Sequence, residues 1–162
     1  MFAVDIGLAV TPTMTFQHAV SKEQYLHQAQ FALFGCQMVE ESLKSFLMYA
    51  RDVNRLSATE FAPINKSNEE LDEMPLGGLI KQYRSTNSSS PTLGWLEQLR
   101  PERNHCAHRA LVLCFMSEVR TDVSLDAEFD RIKKTATLAW SCFEALKPQL
   151  TAVEARLEEL RV

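Results

Sequence analysis

The chain has 162 residues, 46% hydrophobic and 23% charged, with a formal net charge of −4. That balance supplies one domain with enough apolar side chains for a core and excludes a disordered tract. The acidic total also excludes the broad basic surface of a general nucleic-acid binder. Residues 1–20 read as an N-terminal arm, either extended or briefly helical, and residues 21–162 as a single helical domain. The opening MFAVDIGLAV has no basic stretch ahead of its apolar residues, is interrupted by Asp5 and leads to no small-residue cleavage site. Neither a signal peptide nor a membrane span is therefore expected, and the predicted location is cytoplasmic. Cys36, Cys106, Cys114 and Cys142 form no C-x-x-C pair and fall mostly in apolar runs, as reduced core thiols would.

Glycine and proline are scarce inside the periodic stretches and no dense run of alternating β-branched residues occurs, so the expected class is all-α. Ser21 and Gln24 make a capping box, after which Leu26, Ala29, Leu33, Cys36, Val39, Leu43, Phe46 and Leu47 recur at helical spacing to about Ala50. From Ser57 to Met74 the pattern fades into a polar loop with Pro63 and room for one short helical turn. Pro75 to Arg84 fits a second helix, in which Gly77 and Gly78 allow close packing. Ser85 to Pro91, STNSSSP, reads as a mobile linker.

Thr92 to Arg100 reads as a short helix bearing Leu93, Leu96 and Leu99, and Pro101 either starts the next helix or kinks a continuous one. Both options put residues 103–108 near a helix start, where free amide N–H groups favour anions. The apolar body continues through Leu111, Val112, Cys114 and Phe115 to about Ser117. From Ser124 a periodic segment carries Phe129, Ile132, Ala136, Leu138, Ala139, Trp140, Phe143 and Leu146 until Pro148 kinks or resets the helix, and QLTAVEARLEELRV forms an amphipathic terminal helix. Four main helices with short supporting helices then make an antiparallel four-helix bundle.

The chemistry concentrates in Arg103-Asn104-His105-Cys106-Ala107-His108. At about 100° per residue, Asn104 and His108 stack one turn apart, while Arg103 and His108 diverge by roughly 140°. A long guanidinium can reach across that gap, so a fixed fork of donors and an imidazole can address one phosphate. The pattern of Arg, a polar residue, three residues and His resembles the signature of the HEPN superfamily. LEQLRPERNHCAHRAL resembles that family's motif helix, GCQMVEESLKSFLMYA its long first helix and PLGGLIKQY its short second one, together spanning about residues 21 to 147.

This resemblance implies a HEPN-type bundle and a metal-independent endoribonuclease with no cofactor. In it a ribose 2′-hydroxyl attacks the adjacent phosphate and leaves a 2′,3′-cyclic end. It makes Arg103 and His108 the catalytic residues and Asn104 a supporting one, with Arg100, His105 and Arg109 as candidate substrate-binding residues. It further implies a homodimer that pairs two motif helices, RNA as substrate, and a role as a toxin or defence effector beside a nucleotidyltransferase-like antitoxin. Arg100, Arg103 and Arg109 against Glu102 give residues 100–109 a local charge of +2, three minus one.

Two other classes stay open: an inactive HEPN module that binds RNA, nucleotide or a protein partner, and a structural helical protein whose Arg and His are merely solvated beside a buried face. His105, Cys106 and His108 lack a fourth metal ligand, and adjacent His105 and Cys106 point about 100° apart, so a metal site is not expected. Glu40 or Glu41 can supply a carboxylate to the motif helix, although a solvated face is the plainer expectation for each. His18 and His27 have no matching partner. Trp95 and Trp140 are expected in the core or a subunit contact rather than under a stacked base.

Overall fold

The computed structural model describes residues 19–57, 60–119 and 125–162. Every regular element among them is a helix: α1 (Lys22–Leu56), α2 (Asn68–Asp72), α3 (Leu76–Thr86), α4 (Leu93–Val119) and α5 (Asp126–Arg161). The all-α expectation therefore holds. None of these helices is long and apolar enough to cross a membrane. The predicted N-terminal arm up to residue 18, with His18, and the predicted helix start at Ser124 lie outside the described residues.

Ser21 caps α1 as its sequence requires: its hydroxyl accepts from the Gln24 amide and the Gln24 side chain accepts from the Ser21 amide. Two of the four amides that a helix start leaves unbonded are thus satisfied. The helix runs about 1.7 turns past the expected end near Ala50 because Arg51 and Val53 are still buried. Ser67 and Glu70 make a second capping box and start α2, the short turn foreseen in the 57–74 loop.

α1 is the spine, packing most extensively on α5 and then on α4 and α3. Its contacts with α5 run in the same direction. The Val20 amide donates to Asp126 Oδ1 at 2.8 Å, Gly35 faces Ala139 and Trp140, and Glu60, just beyond α1, pairs with Arg156. α4 runs opposite to both, since Glu40 meets Arg103, Glu128 meets His105 and Gln149 meets Thr92. The largest interface is thus parallel, which corrects the antiparallel expectation. α3 is too short to be a full third rod, about 16 Å against about 52 Å for α1. The two long reversals, α1 to α4 and α4 to α5, therefore return α5 to the direction of α1.

Two apolar clusters fill the bundle. The larger joins Leu43, Phe46, Leu47 and Val53 of α1 to Leu71, Leu79, Ile80, Tyr83, Leu96, Leu99, Leu146 and Leu157. The smaller lies between three helices only and holds Tyr25, Ala29, Ala32, Cys106, Ala110, Cys114, Ile132 and Ala136. Each fully buried Leu or Ile contributes about 1.5–3 kcal/mol relative to exposure.

At Pro101 and Pro148 the sequence left a fresh start and a continuous helix both open. α4 passes through Pro101 and α5 through Pro148 without ending. The 85–91 stretch, expected to be a mobile linker, is instead tied down. Gln149 Oε1 accepts from the Tyr83 hydroxyl, from Asn87 Nδ2 at 2.9 Å and from Ser90 Oγ at 3.3 Å, while Gln149 Nε2 donates to Thr92 Oγ1 at 3.1 Å. Polar side chains that compete with helical bonding here find their partners on α3 and α5.

Candidate functional site

Residues 103–108 sit in the interior of α4, Arg103 coming ten positions after Leu93. The expectation of a helix start, with free amides and a positive dipole end beside Arg103, is corrected: those amides belong to the helix ladder. Leu96 and Leu99 before Pro101, and Cys106, Ala110 and Cys114 after it, are all buried. Packing on both sides carries the helix through the proline, which forfeits one hydrogen bond to the carbonyl four residues earlier.

Arg103 faces α1. Its Nε donates to Glu40 Oε1 at 2.8 Å, with the arginine side chain 29% and the carboxylate 14% exposed. Glu40, one of two acidic candidates on α1, is thereby the partner, whereas Glu41 is exposed and pairs with Lys44. The terminal guanidinium nitrogens of Arg103 make no hydrogen bond among the described residues. Buried Cys36 lies beside this pair: burial pushes its thiol up to about 12, Cys106 and Glu40 add to the rise, and the Arg103 charge opposes it.

His105 turns toward α5, where Nε2 meets Glu128 Oε2 at 2.7 Å with the ring only 8% exposed. Its ring is thus turned onto α5 and largely closed to solvent. Glu102 is held by Arg131 through two bonds, at 2.7 and 3.0 Å, and accepts from Thr135 at 3.4 Å. The Arg131 guanidinium keeps the Glu102 carboxyl below the usual carboxylate range, against the opposing effect of burial. Glu128, Arg131 and Thr135 recur at intervals of three and four along α5. The same stretch of α5 also carries Asp126, Asp130, Lys133 and Lys134, so in sequence nothing separates these motif partners from solvated charges.

Arg100, Asn104 and His108 form an exposed row, each one turn from the next, on the outer face of α4. The Arg100 stem rests against α3 at Gly77, where an added Cβ would approach its Cδ to 3.1 Å, and its head lies 3.8 Å from Glu97. His108, Asn104 and Arg109 are exposed and make no hydrogen bond or ion pair among the described residues. Val112 and Phe115 continue the exposed face as large apolar side chains, Phe115 with the Lys22 ammonium 5.3 Å above its ring. Within one chain no hydrogen bond joins Arg103 to His108: the first faces α1 and the second faces outward. The expected +2 is also redistributed. Glu40 neutralises Arg103 and Arg131 neutralises Glu102, leaving Arg100 and Arg109 as the exposed cations.

Among the described residues, no three His, Cys, Asp or Glu side chains gather in a metal-holding geometry. All four cysteines are free and buried. Trp95 is not a core residue, being 46% exposed, while Trp140 is half-buried in a cluster with Phe31, Phe34 and Phe143. Compared with family models, with curated proteins and with solved structures, the chain matches none. The likeness to the HEPN signature accordingly rests on the motif and its surroundings.

Proposed function

We propose that the protein is a metal-independent endoribonuclease of HEPN type, acting as a homodimer, with α1, α3, α4 and α5 as the four helices of its bundle. The observation that carries this reading is the setting of Arg103. Glu40 fixes Nε, the terminal nitrogens are left for a ligand, and the neighbouring exposed row runs from Arg100 through Asn104 to His108. Support for a dimer comes from Val112 and Phe115, large apolar groups exposed at the end of that row. The exposed face of α4 changes along its length from polar at Arg100, Asn104 and His108 to apolar at Val112 and Phe115, unlike a helix that meets only water on that side. A two-fold contact along α4 covers those apolar groups and sets each Arg103 near the His108 of the second copy.

In the proposed reaction the ribose 2′-oxygen attacks the adjacent phosphorus and the bond to the 5′-oxygen breaks, leaving a 2′,3′-cyclic phosphate. One His108 takes the 2′-hydroxyl proton and the other donates a proton to the departing 5′-oxygen. Arg103 stabilises the added negative charge on five-coordinate phosphorus. Asn104 orients His108 or the phosphate, and Arg100 and Arg109 hold flanking phosphates. Such an activity free in a cell is that of a toxin or defence effector, and the restraining partner would be a nucleotidyltransferase-like antitoxin.

The Arg103–Glu40 pair also favours a second reading. A guanidinium already neutralised offers less to a developing charge, and an inactive HEPN module that only binds RNA, nucleotide or a protein partner needs no more. The deciding experiment incubates labelled single-stranded RNA with the protein in EDTA. Cleavage by the wild type, with losses of about 100-fold or more in Arg103→Ala and in His108→Ala at unchanged helical content, is expected. Varied RNAs left uncut at high protein concentration would move the assignment to the binding module.

A further inference from the structure

Apart from the motif, α5 and the first turn of α4 border an open groove of about 550 Å³, within the range of small-ligand sites. Trp95 walls one side, and Asp130, Lys133, Lys134, Thr137 and Ser141 line the other. The two lysines are exposed and belong to no ion pair among the described residues, although Asp130 stands three and four positions before them. Elsewhere on this surface that spacing does produce pairs, as in Lys44–Glu41, Lys66–Glu70 and Lys147–Glu144. The groove therefore carries two ammonium groups without a carboxylate partner against one carboxylate, Lys133 resting 5.7 Å over the Phe129 ring, in a chain whose total charge is −4.

The polar groups are also sorted. Thr137 spends its proton on the Lys133 carbonyl at 3.1 Å and keeps an acceptor, while Ser141, one turn on, keeps a donor and an acceptor. A half-exposed indole beside paired cations and short hydroxyls suits a flat heteroaromatic ring joined to an anion. Stacking uses the ring face whatever the base, and lysines serve phosphate as point charges.

We infer that this groove holds one unpaired nucleotide of a single-stranded RNA, its base stacked on Trp95, its phosphate between Lys133 and Lys134, and Asp130 accepting from an exocyclic amino group. The inference rests on the RNA-cutting reading of α4 and deepens it by naming a second place where the strand is held. A base inside a duplex has no free face for Trp95, so the site selects single strands. Trp95 lies about 12 Å along α4 from Arg103, within the reach of a few nucleotides.

The test measures binding of the full-length protein to a fluorescent ten-residue 2′-O-methyl RNA. This probe lacks the attacking hydroxyl, so binding is read independently of cleavage. Trp95→Ala is expected to weaken binding about tenfold and Trp95→Phe to retain most of it. The Lys133→Ala, Lys134→Ala double variant is expected to bind more weakly and with a shallower salt dependence. A base-paired hairpin of the same length should bind less well than the single strand. Equal affinity of Trp95→Ala and wild type, no binding by the wild type, or a change in solution mass on Trp95→Ala marking a subunit contact would each overturn the assignment. Cleavage that persists when this binding fails removes only the subsite. Trp95-dependent binding without any cleavage removes only the nuclease reading.

Discussion

A guanidinium held at Nε by a carboxylate keeps its direction but lends out part of its charge. Arg103 gains a fixed approach from Glu40, and any phosphate it meets must share the cation with that carboxylate, so its worth depends on how far a bound strand excludes water from the pair. The two histidines of the motif divide along similar lines, because α4 turns His105 onto Glu128 and leaves His108 outward. His105→Ala removes a largely buried hydrogen bond and is expected to cost about 1–3 kcal/mol of stability, read from denaturant unfolding, while cleavage stays within a few-fold of wild type. Equal loss of cleavage in His105→Ala and His108→Ala would show that the wrong imidazole was assigned. The ring directions were legible from the helical period alone. Of the partners, Glu40 was legible only as one of two carboxylates on α1, and Glu128, 23 residues from His105, was not legible, since no local pattern reports such a pairing.

Among the elements, caps and apolar spacing were readable because both are local. The Ser21 box, the period of α1 and the single turn at α2 follow directly from neighbouring residues. Pro101 and Pro148 left a break and a continuous helix both open, because a proline costs about 3 kcal/mol or more inside a helix, a penalty that buried residues on both sides can outweigh and that sequence shows without the compensation. The 85–91 turn misled for a related reason, its polar residues being tied by Gln149 from the far end of the chain. The parallel packing of α1 on α5 depends on Gly35, where an added Cβ would lie 3.1 Å from Ala139 Cβ and 3.3 Å from Trp140 Nε1. Gly35→Leu is expected to lower stability by about 1–3 kcal/mol through overpacking, measured as a reduced denaturation midpoint. A midpoint equal to or above that of the wild type would show that the two helices are not in close contact there.

For the molecule as a whole, α1 joins a broad end, braced by α2 and α3, to a narrower three-helix end containing Cys106 and Cys114. The motif lies where the two clusters meet on α4, between Leu99 and Cys106, so packing fixes its backbone from both directions while Arg100, Asn104 and His108 stay at the surface. Helical class was readable from composition and period, whereas the exposure of Val112 and Phe115, on which the proposed dimer rests, became visible only in the fold. The most direct measurement is end-group analysis of RNA treated with wild-type protein and with His108→Ala in EDTA. The account predicts 2′,3′-cyclic phosphate ends from the wild type and none above background from the variant. Ends bearing a 3′-hydroxyl, or equal cutting by His108→Ala, would contradict it.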